Sequence, residues 1–305
     1  MNRVATLPVQ YTMSNSIQNT QAKLANSLEQ MDTQKKANTY AELGLDTTRV
    51  LSARSMLARQ QAQDTVSSQV GTTLDYYDTS LNAIDDDMSK LRQQMLDVVG
   101  SGDSYGLQTT IEQAFASMRA ALNTTVAGNP IFAGSMTGTT PFKPTSLDDL
   151  ISGAYPTDAD AFTNDQVKLT AQVSNDITMQ YGQVASDVAT KLVAAFRTLA
   201  AAGPFTDKVT DTQMQAIQTA MDQITDGLGD VRTANANNGR LQAQIDTVTA
   251  RGEDRTTMLK TVIGNAEDAD LGQVALDITN SQTMLNASYS VFAKISSLSL
   301  ANYLM

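Results

Sequence analysis

Histidine, cysteine and tryptophan are absent from all 305 residues. Without imidazole or thiol, neither a Ser-His nor a Cys-His nucleophile can be assembled, and the nitrogen and sulfur ligands of zinc are missing. The absence of cysteine also excludes disulfides. Aromatics make up 5% of the chain, too few to line a sugar cleft around paired carboxylates such as Glu267 and Asp268. No phosphate-cradling glycine pattern occurs: Gly227-Leu228-Gly229 lacks the third glycine and lies inside a helical stripe. No run of eighteen apolar residues is present, so a transmembrane helix and membrane insertion are not expected. Met1 to Pro8 hold no apolar stretch of signal-peptide length, so no cleaved leader is expected. The chain reads as non-enzymatic, with no catalytic residue, cofactor or metal.

Charge of one sign is scarce as well, and unevenly so. The net charge is −11 and the sequence pI near 4.4, which argues against nucleic acid or anionic lipid as partner. Yet residues 1–28 carry only Arg3 and Lys23, and residues 278–305 only Lys294. Not one carboxylate lies in those 56 residues, although 17% of the whole chain is charged. Like charges brought together in a poorly solvated space repel, so a segment packed beside identical copies gains by shedding them. Both ends have the composition of polymer-forming segments. The acidity sits in the middle, where Asp85, Asp86 and Asp87 read as a solvated helix face.

What is abundant is helical periodicity. With 41% hydrophobic residues the chain can bury a core, and its length suggests about two domains. From Val70 the series Leu74, Tyr77, Leu81, Ile84, Met88, Leu91, Met95, Val98 alternates steps of four and three, the spacing of a bundle or coiled coil. This helix should begin near Asp46 or Thr47 and stop at Gly100-Ser101-Gly102-Asp103. A second helix carries Leu107, Ile111, Phe115, Met118 and Leu122 on one face. Val184, Val188, Leu192, Phe196 and Leu199 predict a third, ending at Gly203-Pro204. Thr210 with Gln213 forms a capping box opening a long fourth helix through Val262. Its stripe breaks around Asn235–Gly239, where Asn238 is either a buried register-setting residue or part of an exposed kink.

Between these helices the pattern changes. Pro130, Pro141, Pro144 and Pro156 break helices, and Val167 to Val173 alternates apolar with polar, as does Ile177 to Tyr181. Ser174-Asn175-Asp176 between the two runs predicts a β-hairpin. Residues 136–182 therefore read as a small β-containing outer domain, expected to be dispensable for the helical fold.

The ends carry heptads. Leu271, Ile278, Leu285 and Phe292 recur every seven residues, with Val274 and Ile295 at the intervening positions. Met284, Val291 and Leu298 add a second stripe, so this helix needs partners on more than one side. Ile17, Leu24 and Met31 repeat likewise at the other end. The two ends should pair as an antiparallel coiled coil about 45 Å long. The plan is mainly α: a terminal assembly domain (1–45 and 265–305), a helical bundle (46–135 and 183–264) and the insertion. Because isolated amphipathic helices are marginal, the ends are expected to order only on assembly, with Leu285 exposed or disordered beforehand.

Three stretches carry a family likeness. Asn129-Pro130-Ile131-Phe132-Ala133-Gly134-Ser135-Met136, followed by Thr140-Pro141-Phe142, resembles the Phe-Ala-Gly and Pro-Phe segment of the hook-associated protein 3 family within the bacterial flagellin superfamily. Ala287-Ser288-Tyr289, with the Ser299-Leu300-Ala301-Asn302-Tyr303-Leu304 close, resembles that family's C-terminal segment. Asn238-Gly239-Arg240-Leu241 is similar to a segment shared with flagellins. The connector Lys35 to Arg49 departs from the family, having neither proline nor the double aspartate of its usual Pro-Ser-Asp-Asp-Pro.

The resemblance implies an exported structural subunit at the hook–filament junction, with the terminal helices in an inner tube. Its implied partners are copies of itself, flagellin, hook and other hook-associated proteins, and an export chaperone; its location is the extracellular flagellum. A filament-forming flagellin is the alternative, although flagellins more often close on Leu-Arg and lack the Pro-Phe segment. A secreted membrane-active translocator is a third reading, against which the many Asn, Gln, Ser and Thr residues of the ends weigh.

Overall fold

The computed structural model describes residues 6–301. In chain order the elements are α1 (Thr6–Thr33), α2 (Thr47–Ser101), α3 (Leu107–Leu122), β1 (Thr125–Val126), β2 (Asn129–Pro130), β3 (Thr170–Ser174), β4 (Ile177–Gln180), α4 (Ala185–Ala202), α5 (Asp211–Glu267) and α6 (Leu271–Ala301). The fold is a mainly α long-helix bundle with a small β-containing insert. Two compact units divide it: Gln60–Asp254, and Met1–Arg59 with Arg255–Met305. Helices α2 and α5 contribute to both.

In the unit Gln60–Asp254 every member of the Val70-to-Val98 stripe is buried, and so are Leu107, Ile111, Phe115, Met118 and Leu122 of α3. A 3.5-residue period keeps such a stripe on one side of the helix, which is why α2 can present a single seam over eight turns. Gly227 permits the close approach of α4 and α5, since a Cβ there would stand 2.5 Å from Leu192 Cδ2. The capping box forms as spaced: Gln213 N–H donates to Thr210 Oγ1 at 3.3 Å, and Thr210 N–H to Gln213 Oε1 at 3.1 Å.

Helix α5 runs through Asn235–Gly239 without interruption. Of the two readings of Asn238 the buried one holds: it has no solvent exposure, and Nδ2 donates to the Leu74 carbonyl of α2 at 2.8 Å. Asn238 occupies the stripe position between Val231 and Leu241, with Asn235 preceding it, so a polar residue continues the seam.

The expected hairpin is β3–β4, antiparallel, with Thr170 opposite Gln180 and a bulge between Gln172 and Ser174. It starts later than Val167, because Asp165 draws the Val167 N–H into a turn at 3.1 Å. A second, very short hairpin, β1–β2, turns on Ala127 and Gly128, both at positive φ.

The insertion does not stand apart from the helices. Phe142, Leu147, Leu150, Ala161, Phe162, Val173 and Met179 are buried in the same cluster as Phe115, Phe132 and Phe196. Phe115 meets Phe142 edge-on at 5.8 Å and Phe196 at 5.4 Å. From α4, Arg197 Nε donates to Asp158 Oδ1 at 2.6 Å, and Nη1 to the Tyr155 carbonyl at 3.0 Å and to that of Leu150. The expected dispensability of residues 143–176 is therefore corrected: the segment supplies core side chains, which its loop-like composition conceals.

Candidate assembly interface

Helices α1 and α6 pair along an antiparallel seam, marked across the chain by Gln21 Nε2 donating to Tyr289 Oη at 2.7 Å. On α6 the seam runs through Val274, Ile278, Ser281, Leu285 and Ser288, ending near Ile295; on α1 it runs through Ile17, Thr20, Leu24 and Ser27. Val274 and Leu285 are buried, at 4% and 7% exposure, and Ile17, Leu24, Ile278 and Ile295 half-buried. Met31, Leu271 and Phe292, from the same heptads, are exposed at 36%, 41% and 37%. Leu285 is thus covered within a single chain, contrary to the expectation that it awaits a neighbour. The reason is mutual: each end is too weakly amphipathic to stand alone, but the two stripes cover one another.

Two members of the second stripe lie uncovered, and the Leu298 side chain lies outside the described residues. Met284 is 58% exposed and Val291 46%, with Leu276 on the same side. Beside it an open groove of about 640 Å³ separates the two helices, lined by Lys23, Asn26 and Gln30 on α1 and by Asp277, Asn280 and Met284 on α6. Helix α6 therefore has one apolar face spent inside the chain and another presented outward.

Six hydroxyls of these helices bond inward. Thr12, Thr20 and Thr33 donate to the carbonyls four residues back in α1, as do Thr279, Thr283 and Ser290 in α6, at 2.8–2.9 Å.

Where α1 ends, the connector crosses the α5–α6 turn. Lys36 N–H donates to the Glu267 carbonyl at 2.7 Å and Ala269 N–H to that of Gln34 at 3.0 Å, around a bridge between Lys35 and Asp268. Glu267 is only 6% exposed. Arg54 of α2 grips it in a fork, Nε to Oε1 at 2.9 Å and Nη2 to Oε2 at 2.8 Å. Lys35 Nζ stands 3.6 Å from Glu267 and 2.5 Å from Asp268. The Arg54 hydrogen bond, more than the opposing desolvation, holds the Glu267 carboxyl below its ordinary range. Further along, the Asn38 and Thr39 N–H groups donate to Glu42 Oε2, and a short 3-10 turn, Gly44–Asp46, leads into α2. The proline-free connector is shaped by these polar contacts, which its sequence did not announce.

The Phe-Ala-Gly and Pro-Phe residues lie in the other unit, where Phe132 and Phe142 join the core. Phe132, Ala133 and Phe142 have no exposure, and Gly134 and Pro141 are buried. Phe132 meets Tyr77 edge-on at 4.9 Å, while the Tyr77 hydroxyl donates to the Ile131 carbonyl. Burial pushes the Tyr77 hydroxyl's pKa upward. Asn123 clamps Phe142 from both sides of its backbone: Phe142 N–H donates to Oδ1 at 2.9 Å and Nδ2 donates to the Phe142 carbonyl at 3.0 Å. Tyr303 and Leu304 lie outside the described residues. Among the described residues no acidic cluster suits a metal ion, and no helix is long and apolar enough to cross a membrane.

No family model and no curated protein matches the sequence. Among the solved structures similar to it are three of flagellar proteins. One, from Vibrio parahaemolyticus and assigned as a flagellar hook-associated protein, is 16% identical, with a TM-score of 0.61 over 73% of this chain and 97% of its own. Bacillus cereus FlgL is 10% identical, with a TM-score of 0.57 over 70% and 98% of the two chains. Xanthomonas campestris FlgL is 14% identical, with a TM-score of 0.57 over 70% and 99%. What these three proteins share with this chain, over nearly their whole lengths, is the fold.

Proposed function

We propose that this chain is a structural subunit of the bacterial flagellum that forms the hook–filament junction, exported unfolded and polymerising through its terminal helices. The observation that carries the reading is the pairing of that shared fold with an uncovered apolar stripe on α6, Met284 and Val291, in a segment with no carboxylate after Asp277. Copies packed side by side there would bury apolar surface without gathering like negative charge. The partners are further copies of the chain and the hook and filament proteins on either side, with an export chaperone during transit. The domains divide the work as terminal assembly segments (1–45 and 265–305), bundle (46–135 and 183–264) and outer insertion (136–182). The assembly seam takes in Met31, Leu271 and Phe292 at its exposed margins.

Electron microscopy of cells lacking the protein tests this. Hooks that carry no filament, restored by a plasmid-borne copy, are the expected outcome; intact filaments would overturn the proposal.

A further inference from the structure

We propose that Lys35, Arg54, Glu267 and Asp268 form a latch that couples the two terminal helices, so that loss of the Arg54–Glu267 pair releases α1 and α6 together and leaves the unit Gln60–Asp254 folded. The cluster stands where the chain leaves α1 and where it enters α6. The connector leaves Thr33 at the end of α1 and immediately bonds the turn that leads, three residues past Asp268, into Leu271 of α6. Two main-chain hydrogen bonds join these segments, from Lys36 to Glu267 and from Ala269 to Gln34. Lys36 Nζ adds a third contact to the Asn265 carbonyl at 2.6 Å.

Holding the end of α1 beside the start of α6 joins the two segments at one end, so the rest of the seam pairs from a fixed point rather than from free chain ends. That seam is weak in apolar content: Thr20, Ser27, Ser281 and Ser288 alternate with its larger residues. Pairing from a fixed end suits such a seam.

Glu267 is the member on which the rest depend. Its carboxylate is nearly buried, and the charged groups facing it are Arg54 from α2 and Lys35 from the connector, with Asp268 its neighbour in the turn. Lys35 and Asp268 are about half exposed and weakly held by comparison. Removing Arg54 leaves a buried charge without its fork, and neutralising Glu267 leaves the guanidinium without its ion pair. Either change opens the crossing at which α1 ends and α6 begins. The residues of the Leu74–Val98 stripe lie in the other unit and share none of these bonds.

The test is hydrogen exchange, read by mass spectrometry, on the full-length monomeric protein and on Glu267→Gln and Arg54→Met. In both variants the amides of Lys36 and Ala269, and those along α1 and α6, should exchange about tenfold faster and in step. Those of Leu74 to Val98 should keep wild-type rates. Unchanged protection in α1 and α6, or loosening of one helix without the other, would overturn the latch. So would faster exchange throughout Leu74–Val98, which would make Glu267 a residue of general stability. Because the measurement involves no polymer, its result is independent of whether the junction role holds.

Discussion

Gly134 stands so close to Asp165 that a Cβ added to it would lie 2.1 Å from Oδ1 and 3.0 Å from the main-chain carbonyl. The approach exists because Asp165 reaches across to the motif: Ser135 N–H donates to Oδ1 at 2.9 Å and the Ser135 hydroxyl to Oδ2. Gly134 also has φ +68°, which a side chain resists. Gly134→Ala should therefore lower the unfolding free energy by about 2–4 kcal/mol, combining backbone strain with displacement of Asp165. Urea denaturation followed by far-UV circular dichroism measures it, and a shift under half a kilocalorie would show that the crossing relaxes freely.

The insertion should prove indispensable. Phe142→Ala empties a fully buried site between Phe115 and Phe162, at a cost of about 3–5 kcal/mol. Exchanging residues 143–176 for a Gly-Ser linker should broaden and lower the thermal transition, since Leu150 and Val173 leave the core with it. A linker variant that melts as sharply as the native chain would separate the insertion from the core after all.

Leu285 and Met284 are sequence neighbours with opposite burdens. Leu285→Asp places a charge in the α1–α6 seam and should loosen the terminal helices of the monomer, losing the 1.5–3 kcal/mol or so that burial of a leucine contributes and a desolvation penalty besides. Met284→Asp, on the exposed stripe, should leave monomer helicity unchanged yet abolish assembly and motility. Sedimentation of the secreted protein and swimming assays distinguish the two, with secretion measured separately. Full-length filaments on Met284→Asp cells would remove the second stripe from the interface.

Acid should act on the terminal unit through Glu267. Its pKa is depressed in the folded chain, chiefly by Arg54, so its contribution is complete above the unfolded carboxyl value of about 4.3. It is lost as pH falls through the lower folded value. Protection of α1 and α6 should decline as pH falls below the unfolded carboxyl value, and more steeply in the native protein than in Glu267→Gln. Parallel profiles would assign the acid sensitivity to other carboxylates.

Much of this architecture was legible because apolar spacing and helix geometry share a period. The Val70–Val98 stripe, the α3 and α4 faces, the Thr210–Gln213 cap and the Ser174–Asp176 hairpin turn all follow from local rules. What stayed hidden depends on contacts far apart in sequence. Nothing near Phe142 announces Asn123 or Phe115, and nothing near Glu267 announces Arg54. The β1–β2 turn escaped because Ala127 at positive φ is an unusual choice. At the ends, the heptads pointed to an antiparallel pairing of the two termini, but could not say which of their residues that pairing would cover within one chain: Leu285 is buried by it, while Met31, Leu271 and Phe292 stay exposed.

The inward-turned hydroxyls of α1 and α6 bear on what such helices give up when another surface is laid over them. A threonine in water normally surrenders a hydration bond on being covered, and a helix this rich in Ser and Thr would surrender many. Here Thr12, Thr20, Thr33, Thr279, Thr283 and Ser290 have already exchanged that bond for one to their own backbone. At those six positions these helices are polar by composition yet have less water to give up to a contact than their sequence suggests.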